Sequence, residues 1–318
     1  MRLFFIQNSL SWGNRMNDYI VRTLSKSGGI RILASCLPNL TQQVCALQQT
    51  APTVSIAMGR GLAGGALMGA LLKPEQRVAL KFEGNGPLQK LIIEADSNGA
   101  VRGSAGNPAA DAEPLNGRWN VAGILGRAGF LTVSKDLGLG REPYRGMVQL
   151  RTSEIGDDLA YYLTDSEQVP SAVGLGAVLN EQGQIGQAGG FLVQALPMAL
   201  DSEIDAVMAN IATLPPICEL LETGGAEKLL EHLWGGLGYV VLEKHDLFFS
   251  CGCFREKVER ALMSLGDAAL GELLSKDGKA EAKCEFCGQL YEFDRADLEK
   301  LRASVQADGQ DQDANHQA

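Results

Sequence analysis

Cysteine placement constrains this chain more than any other feature. Cys251 and Cys253 form a CxC pair in FFSCGCF, Cys284 and Cys287 form a CxxC pair in KCEFCGQ, and 30 residues lie between the pairs. Residues i and i+2 of an extended segment point to the same side, so both thiols of the first pair can meet one ion. A tight turn in CEFCG aims the second pair at one point, and Gly288 eases the backbone there. Four thiolates complete a tetrahedral zinc shell and leave no position for a catalytic water. The surrounding unit, about His245 to Arg302, has fewer than sixty residues. A unit that small is marginal without a staple, and structural zinc supplies on the order of 10–16 kcal/mol. The expected metal ligands are therefore Cys251, Cys253, Cys284 and Cys287, holding one Zn²⁺ in the reduced state.

The same thiols could do more. Thiolates are nucleophilic when an oxidant reaches them, and a sulfenic acid on one has a neighbour ready to resolve it as a disulfide. Spacing alone leaves both a plain structural clip and a redox switch open. The CxC half, where a common zinc ribbon has a second CxxC, mildly favours the switch.

With 318 residues the chain exceeds one typical core. Its 45% hydrophobic content suffices to bury a sizeable interior. The net charge of −10 has the wrong sign for a phosphate-backbone partner, so nucleic acid is disfavoured. The start, MRLFFIQNSLSWGNR, carries only a short apolar patch from Leu3 to Ile6 and does not read as an export signal. Seven cysteines without such a signal point to a reducing cytoplasm and to metal or redox chemistry rather than a disulfide frame. The apolar run Ala51 to Leu72 contains Arg60 near its middle, which makes membrane insertion costly, and reads as a buried core helix.

The expected architecture is α+β: an N-terminal domain of antiparallel sheet with helices over residues 1–197, a helical linker over 198–244, a small zinc-binding domain over 245–302 and a disordered polar tail over 303–318. In the first domain, Asn17 to Ser27 reads as a short helix, Gly29 to Leu37 as a strand and Pro38 to Gln49 as a helix. Gly61, Gly65 and Gly69 share one face of the next helix and let another backbone approach. Strands are expected at Arg77–Phe82, Leu88–Ala95, Gly129–Ser134, Gly146–Arg151, Ser171–Leu179 and Gln187–Gln194, with a hairpin turn at Ser97-Asn98-Gly99 and a helix from Ser153 to Leu163. The linker is amphipathic but interrupted at Leu214-Pro215-Pro216 and Gly224-Gly225, with Ser202 as a capping signal. It is too broken to hold a core of its own, so its apolar faces must rest on another surface. In the last domain Phe254, Val258, Ala261, Leu262 and Leu265 share a helical face, Leu290, Tyr291 and Phe293 suggest a strand, and Asp294 caps a final helix.

Weaker signals carry no chemistry. Gly59 to Gly64 matches GxGxxG inside an apolar helix, where it signifies packing. Cys36, Cys45 and Cys218 sit among apolar residues as inert thiols. His232 reads as a surface residue, and His245 finds no vacancy beside four thiolates. Asp157-Asp158 reads as a solvated helix face, and no nucleophile elbow or carboxylate dyad is present. No catalytic residue is expected.

Several segments together resemble the 33 kDa chaperonins, a family of redox-regulated bacterial heat-shock holdases. GNGPLQKLIIEADSNGAVRG (Gly84 to Gly103), LTVSKDLGLGREPYRGMVQL (Leu131 to Leu150), LAYYLTDSEQVPSAVGLG (Leu159 to Gly176) and AGGFLVQALP (Ala188 to Pro197) are similar to family motifs, and the CxC and CxxC pairs follow in the family's order. Ser104 replaces a usual aromatic and Phe254 a usual small polar residue, and neither touches a sulfur. The resemblance implies zinc on all four cysteines when reduced and the disulfides Cys251–Cys253 and Cys284–Cys287 when oxidised. It further implies an unfolded linker in the oxidised state, ATP-independent binding of unfolding client proteins, and a homodimer. A thiol-disulfide oxidoreductase, a purely structural zinc protein and a zinc-ribbon nucleic-acid binder are the competing readings.

Overall fold

The computed structural model describes residues 17–138, 140 and 142–315, without the side chains of residues 307–315. The N-terminal apolar patch lies outside the described residues. The chain forms two compact units, Met1–Phe249 and Ser250–Ala318. The class is α+β, as the sequence predicts.

The first unit holds β1 (Tyr19–Ser25), β2 (Ile30–Cys36), α1 (Pro38–Gln48), α2 (Pro52–Gly69), β3 (Arg77–Gly84), β4 (Lys90–Asp96), β5 (Ala100–Ala105), α3 (Val121–Leu125), β6 (Gly129–Asp136), β7 (Tyr144–Gln149), α4 (Ile155–Asp165), β8 (Ser171–Leu179), β9 (Ile185–Ala195), α5 (Asp201–Ala212), α6 (Ile217–Trp234), β10 (Tyr239–Asp246) and β11 (Phe248–Phe249). A five-stranded sheet runs β10-β1-β2-β9-β8 and a six-stranded sheet runs β11-β5-β4-β3-β6-β7. Pairing is antiparallel except for the short β11–β5 match.

Helix α2 lies between the sheets and is almost wholly buried. Its glycine face meets β4: a Cβ on Gly65 would fall 2.4 Å from Ile93 Cγ2, and one on Gly61 would fall 3.0 Å from Ile93 Cδ1. On another side Gly59 abuts Ala177 of β8 and Ala188 of β9. Arg60, the charge inside the apolar run, reaches Glu154 Oε2 at 2.6 Å. The Gly59–Gly64 motif is therefore packing. No helix among the described residues is long and apolar enough to cross a membrane.

Helices α5 and α6 cover the far face of the five-stranded sheet. Val207, Leu220, Leu221, Leu229, Leu230, Leu233 and Trp234 bury against Tyr19, Val21, Ile30, Ile32, Ala34, Cys36, Phe191 and Val193. The apolar face of the segment after Pro197 thus finds its partner in this sheet, within the compact unit Met1–Phe249. The glycine pair interrupts α6 as expected, since Gly224 and Gly225 depart from helical φ/ψ.

Three local expectations fail for physical reasons. Asn17 to Ser27 contains a strand, not a helix: β1 is covered on both faces, so its sequence lacks the alternation that marks a half-buried strand. Strand β10 occupies the end of the segment expected to be helical. It is a mostly exposed edge strand, so neither face imposes an apolar pattern. Ser202 does not cap α5, which starts at Asp201 with no side-chain cap.

The second unit holds α7 (Arg255–Met263), α8 (Asp267–Lys276), β12 (Ala280–Lys283), β13 (Leu290–Phe293) and α9 (Arg295–Asn315). Among the described residues its core consists of Leu270, Leu274, Phe293, Leu298 and Leu301. Asp294 caps α9 through Asp297 N at 2.9 Å, and Asp297 Oδ2 accepts from Asp294 N in return. The backbone of α9 continues to Asn315, through the stretch after Ala303 where polar composition predicts disorder. That stretch lacks proline, and a helix already anchored by Leu298 and Leu301 propagates at little cost per residue.

Candidate metal centre

Cys251 and Cys253 lie on the irregular chain leading into α7, and Cys253 is two residues before its first turn. Cys284 and Cys287 sit in the loop of the β12–β13 hairpin. Gly288 adopts φ +72°, and its N–H donates to Cys284 O at 3.0 Å, while Cys284 N donates to Gln289 O at 2.9 Å. Those bonds wrap the backbone around the two sulfurs, and only glycine takes that φ without strain.

The hairpin loop and the CxC segment converge. Cys251 Sγ is 3.6 Å from Cys284 Sγ, and Cys253 Sγ is 3.2 Å from Cys287 Sγ. All four sulfurs lie within 4.8 Å of one another. Ligands 2.3 Å from a tetrahedral ion stand about 3.8 Å apart, so the cluster matches such a shell in size and in donor type. Among the described residues no other group of three or more Cys, His, Asp or Glu gathers in this way.

Electrostatics set Cys253 apart from Cys251 and Cys287. At Cys253 burial opposes the thiolate, but hydrogen bonds from Tyr291 and the other cysteines outweigh it, and the thiol comes down to about 7. Burial leads at Cys287, reinforced by its cysteine neighbours, and pushes that thiol up to about 12. Cys251 is also raised, burial first. Cys253, next to the positive end of α7, therefore ionises more readily than Cys251 and Cys287.

Two supporting residues escaped the sequence reading. The Tyr291 hydroxyl, on β13, donates to Cys253 and is itself raised to about 12 by that bond. Arg255 bonds Asp297 Oδ2 at 2.6 Å, Glu259 Oε1 at 3.1 Å and Glu292 O at 2.9 Å, with its guanidinium 4.4 Å from the Phe293 ring. It fastens the start of α7, and so the CxC segment, to β13 and α9. A residue that follows the CxC motif by two positions was the only available signal.

The remaining candidates lie elsewhere. Burial pushes Cys36 to about 12 and Cys218 to about 11, and raises Cys45 as well. All three are poor nucleophiles. His232 Nδ1 is 3.0 Å from Lys228 O on α6, and His245 pairs with Glu243 on β10 at 3.5 Å. Asp158 is fully buried rather than solvated. Its Oδ1 accepts from Arg151 N at 2.8 Å and from Thr152 N at 3.2 Å, which tethers the loop before α4.

Comparison with known proteins fits this geometry. The family model described as "Hsp33 protein" matches residues 18–294. The chain belongs to the Hsp33 family. The 33 kDa chaperonin of Pelobacter propionicus is 65% identical over 286 residues, spanning 90% of this chain and 94% of the relative. That of Geobacter sulfurreducens is 53% identical over 293 residues, spanning 92% and 97%. The crystal structure of the Hsp33 homologue from Thermotoga maritima superposes with a TM-score of 0.83 at 31% identity, covering 91% of this chain and 98% of that one. The match takes in both cysteine pairs, so the sulfur cluster lies within the Hsp33 family region.

Proposed function

We propose that this chain is a redox-regulated, ATP-independent chaperone that holds unfolding proteins under oxidative stress in the cytoplasm. The observation that carries this reading is the gathering of four sulfurs within 4.8 Å, a few residues past the end of β10. Cys251, Cys253, Cys284 and Cys287 hold Zn²⁺ when reduced. Bound zinc keeps the four sulfurs deprotonated and staples a unit that, among the described residues, has five buried core side chains.

Oxidation pairs Cys251 with Cys253 and Cys284 with Cys287. Each disulfide forms as a thiolate pair gives up two electrons, and one hydrogen peroxide accepts them together with two protons from solvent to become two waters. Disulfide sulfurs no longer bind the ion, so the second unit loses its staple. The segment 198–244 then leaves the five-stranded sheet and exposes the apolar side chains of α5 and α6, which bind other exposed apolar chains. The active form is a homodimer. The protein works by binding and carries no catalytic residue. A thiol-disulfide oxidoreductase would place its CxxC at a helix start in a βαβ unit, whereas Cys284 and Cys287 occupy a hairpin loop.

The test is one peroxide titration of the zinc-loaded protein at heat-stress temperature, read by zinc release, far-UV circular dichroism and suppression of aggregation of a heat-unfolded enzyme. All three should move together, with one zinc released per chain. Protein that keeps its zinc, or that loses it without protecting the client, overturns the reading.

A further inference from the structure

The ring of Tyr19 is buried beneath α6, and its hydroxyl joins three elements at one point. That hydroxyl donates to Glu227 Oε2 and accepts the N–H of Ala226 at 3.1 Å. Lys244 Nζ, on β10, donates to Glu227 Oε1 at 2.6 Å and stands 4.0 Å from the centroid of the Tyr19 ring. The break in α6 makes this possible. Gly225 takes φ +66°, and a Cβ there would lie 2.3 Å from the Tyr19 oxygen. The helix therefore restarts directly against that hydroxyl, with Ala226 N as its first anchored donor.

The leucines under α6 are attracted to the sheet without directional preference. The polar knot supplies direction and register. It also couples two events. If β10 withdraws, Lys244 leaves with it, and the half-exposed Glu227 carboxylate loses the cation that holds it against the Tyr19 hydroxyl. An ion pair with both side chains half in water contributes little of itself, so Lys244 acts by orienting the Glu227 carboxylate toward Tyr19. The restart of α6 is then the point where the helix comes loose.

We propose that Tyr19, Glu227 and Lys244 form a latch that makes the docking of α6 depend on the position of β10, the strand whose chain runs on into Cys251. The latch deepens the function proposed above and rests on it. Cys251 follows the last residue of β10 by five positions, and a rearrangement of the CxC segment reaches Lys244 once the β11–β5 pairing and the bond from Leu247 N to Asp18 O at 2.8 Å yield.

Hydrogen exchange in the full-length, zinc-loaded, reduced protein tests it. Glu227→Gln and the milder Lys244→Met should each raise exchange of the α6 amides from Ala226 to Trp234 by up to about fivefold, the loss expected for an ion pair half in water. Lys244→Arg, which keeps both the ion pair and the ring contact, should restore parental exchange. Lys81→Met removes the exposed ion pair with Glu83 on β3 and should leave α6 unchanged. The peroxide dose that gives half-maximal client protection should fall in Glu227→Gln and Lys244→Met, with zinc content still one per chain before oxidation. Parental α6 exchange in both variants, or a change confined to β10, overturns the latch. If the parent protein neither releases zinc nor protects a client, the function falls, and the exchange data still decide the latch alone.

Discussion

Cys253 differs from its three partners in the donors that surround its sulfur. Tyr291 and the other cysteines hold its thiol near 7, while Cys287 sits near 12 and burial holds Cys36 near 12. At neutral pH Cys253 in the folded, reduced cluster reaches its thiolate more readily than Cys287 or Cys36. A short pulse of iodoacetamide at pH 7 on the reduced, folded protein should label Cys253 before Cys287, with Cys36 and Cys45 last, read by peptide mass. The sign follows from the direction of each shift: a lowered thiol gains its reactive form below the ordinary range, and a raised thiol gains it only above. Tyr291→Phe removes the first donor and should slow labelling at Cys253 several-fold without altering Cys36. Equal labelling of Cys253 and Cys287 at pH 7 would mean that the donors do not set the order.

At the scale of elements, α2 shows how tightly a glycine face can be read. Replacing Gly65 by alanine adds about 1 kcal/mol of helix propensity. It also drives a Cβ to 2.4 Å from Ile93 Cγ2, an atom held on a β-branched side chain in a central strand. Overpacking of that kind costs typically 1–3 kcal/mol. The packing loss wins, and Gly65→Ala should lower the urea midpoint, whereas a purely propensity-driven helix would gain stability. The spacing of Gly61, Gly65 and Gly69 made this contact legible in the sequence. So did the β3–β4–β5 meander, whose Ser97-Asn98-Gly99 turn is explicit, and the Gly224-Gly225 break in α6. Strand β1 was not legible, because burial of Tyr19, Ile20 and Val21 in succession erases alternation. Strand β10 was missed because its exposed edge position asks for no pattern at all. The same divide runs through the site. Sulfur spacing announces the ligand set, but Tyr291, Arg255 and the Tyr19–Glu227–Lys244 knot depend on tertiary placement that no local pattern encodes.

For the whole molecule, three bodies of structure draw their stability from different sources. The central core around α2 gathers buried side chains from both sheets and from α1 to α4, and needs no metal. The α5–α6 layer rests on the five-stranded sheet through an apolar cluster of its own and through the latch. Among the described residues the second unit has five buried core side chains and four converging sulfurs. Their expected order of loss is the second unit, then the α5–α6 layer, then the core. Treating the reduced protein with a zinc chelator at room temperature should therefore open the second unit alone. Proteolysis should cut beyond Ser250 and leave a resistant fragment ending near Phe249. The α6 amides should stay protected at that stage, because the apolar cluster beneath them is intact. Warming should then release α5 and α6 before the central core melts, and client protection should appear only at this second step. A single cooperative transition on warming, or client protection at room temperature with α6 still protected, would show that the α5–α6 layer is not the surface that captures clients.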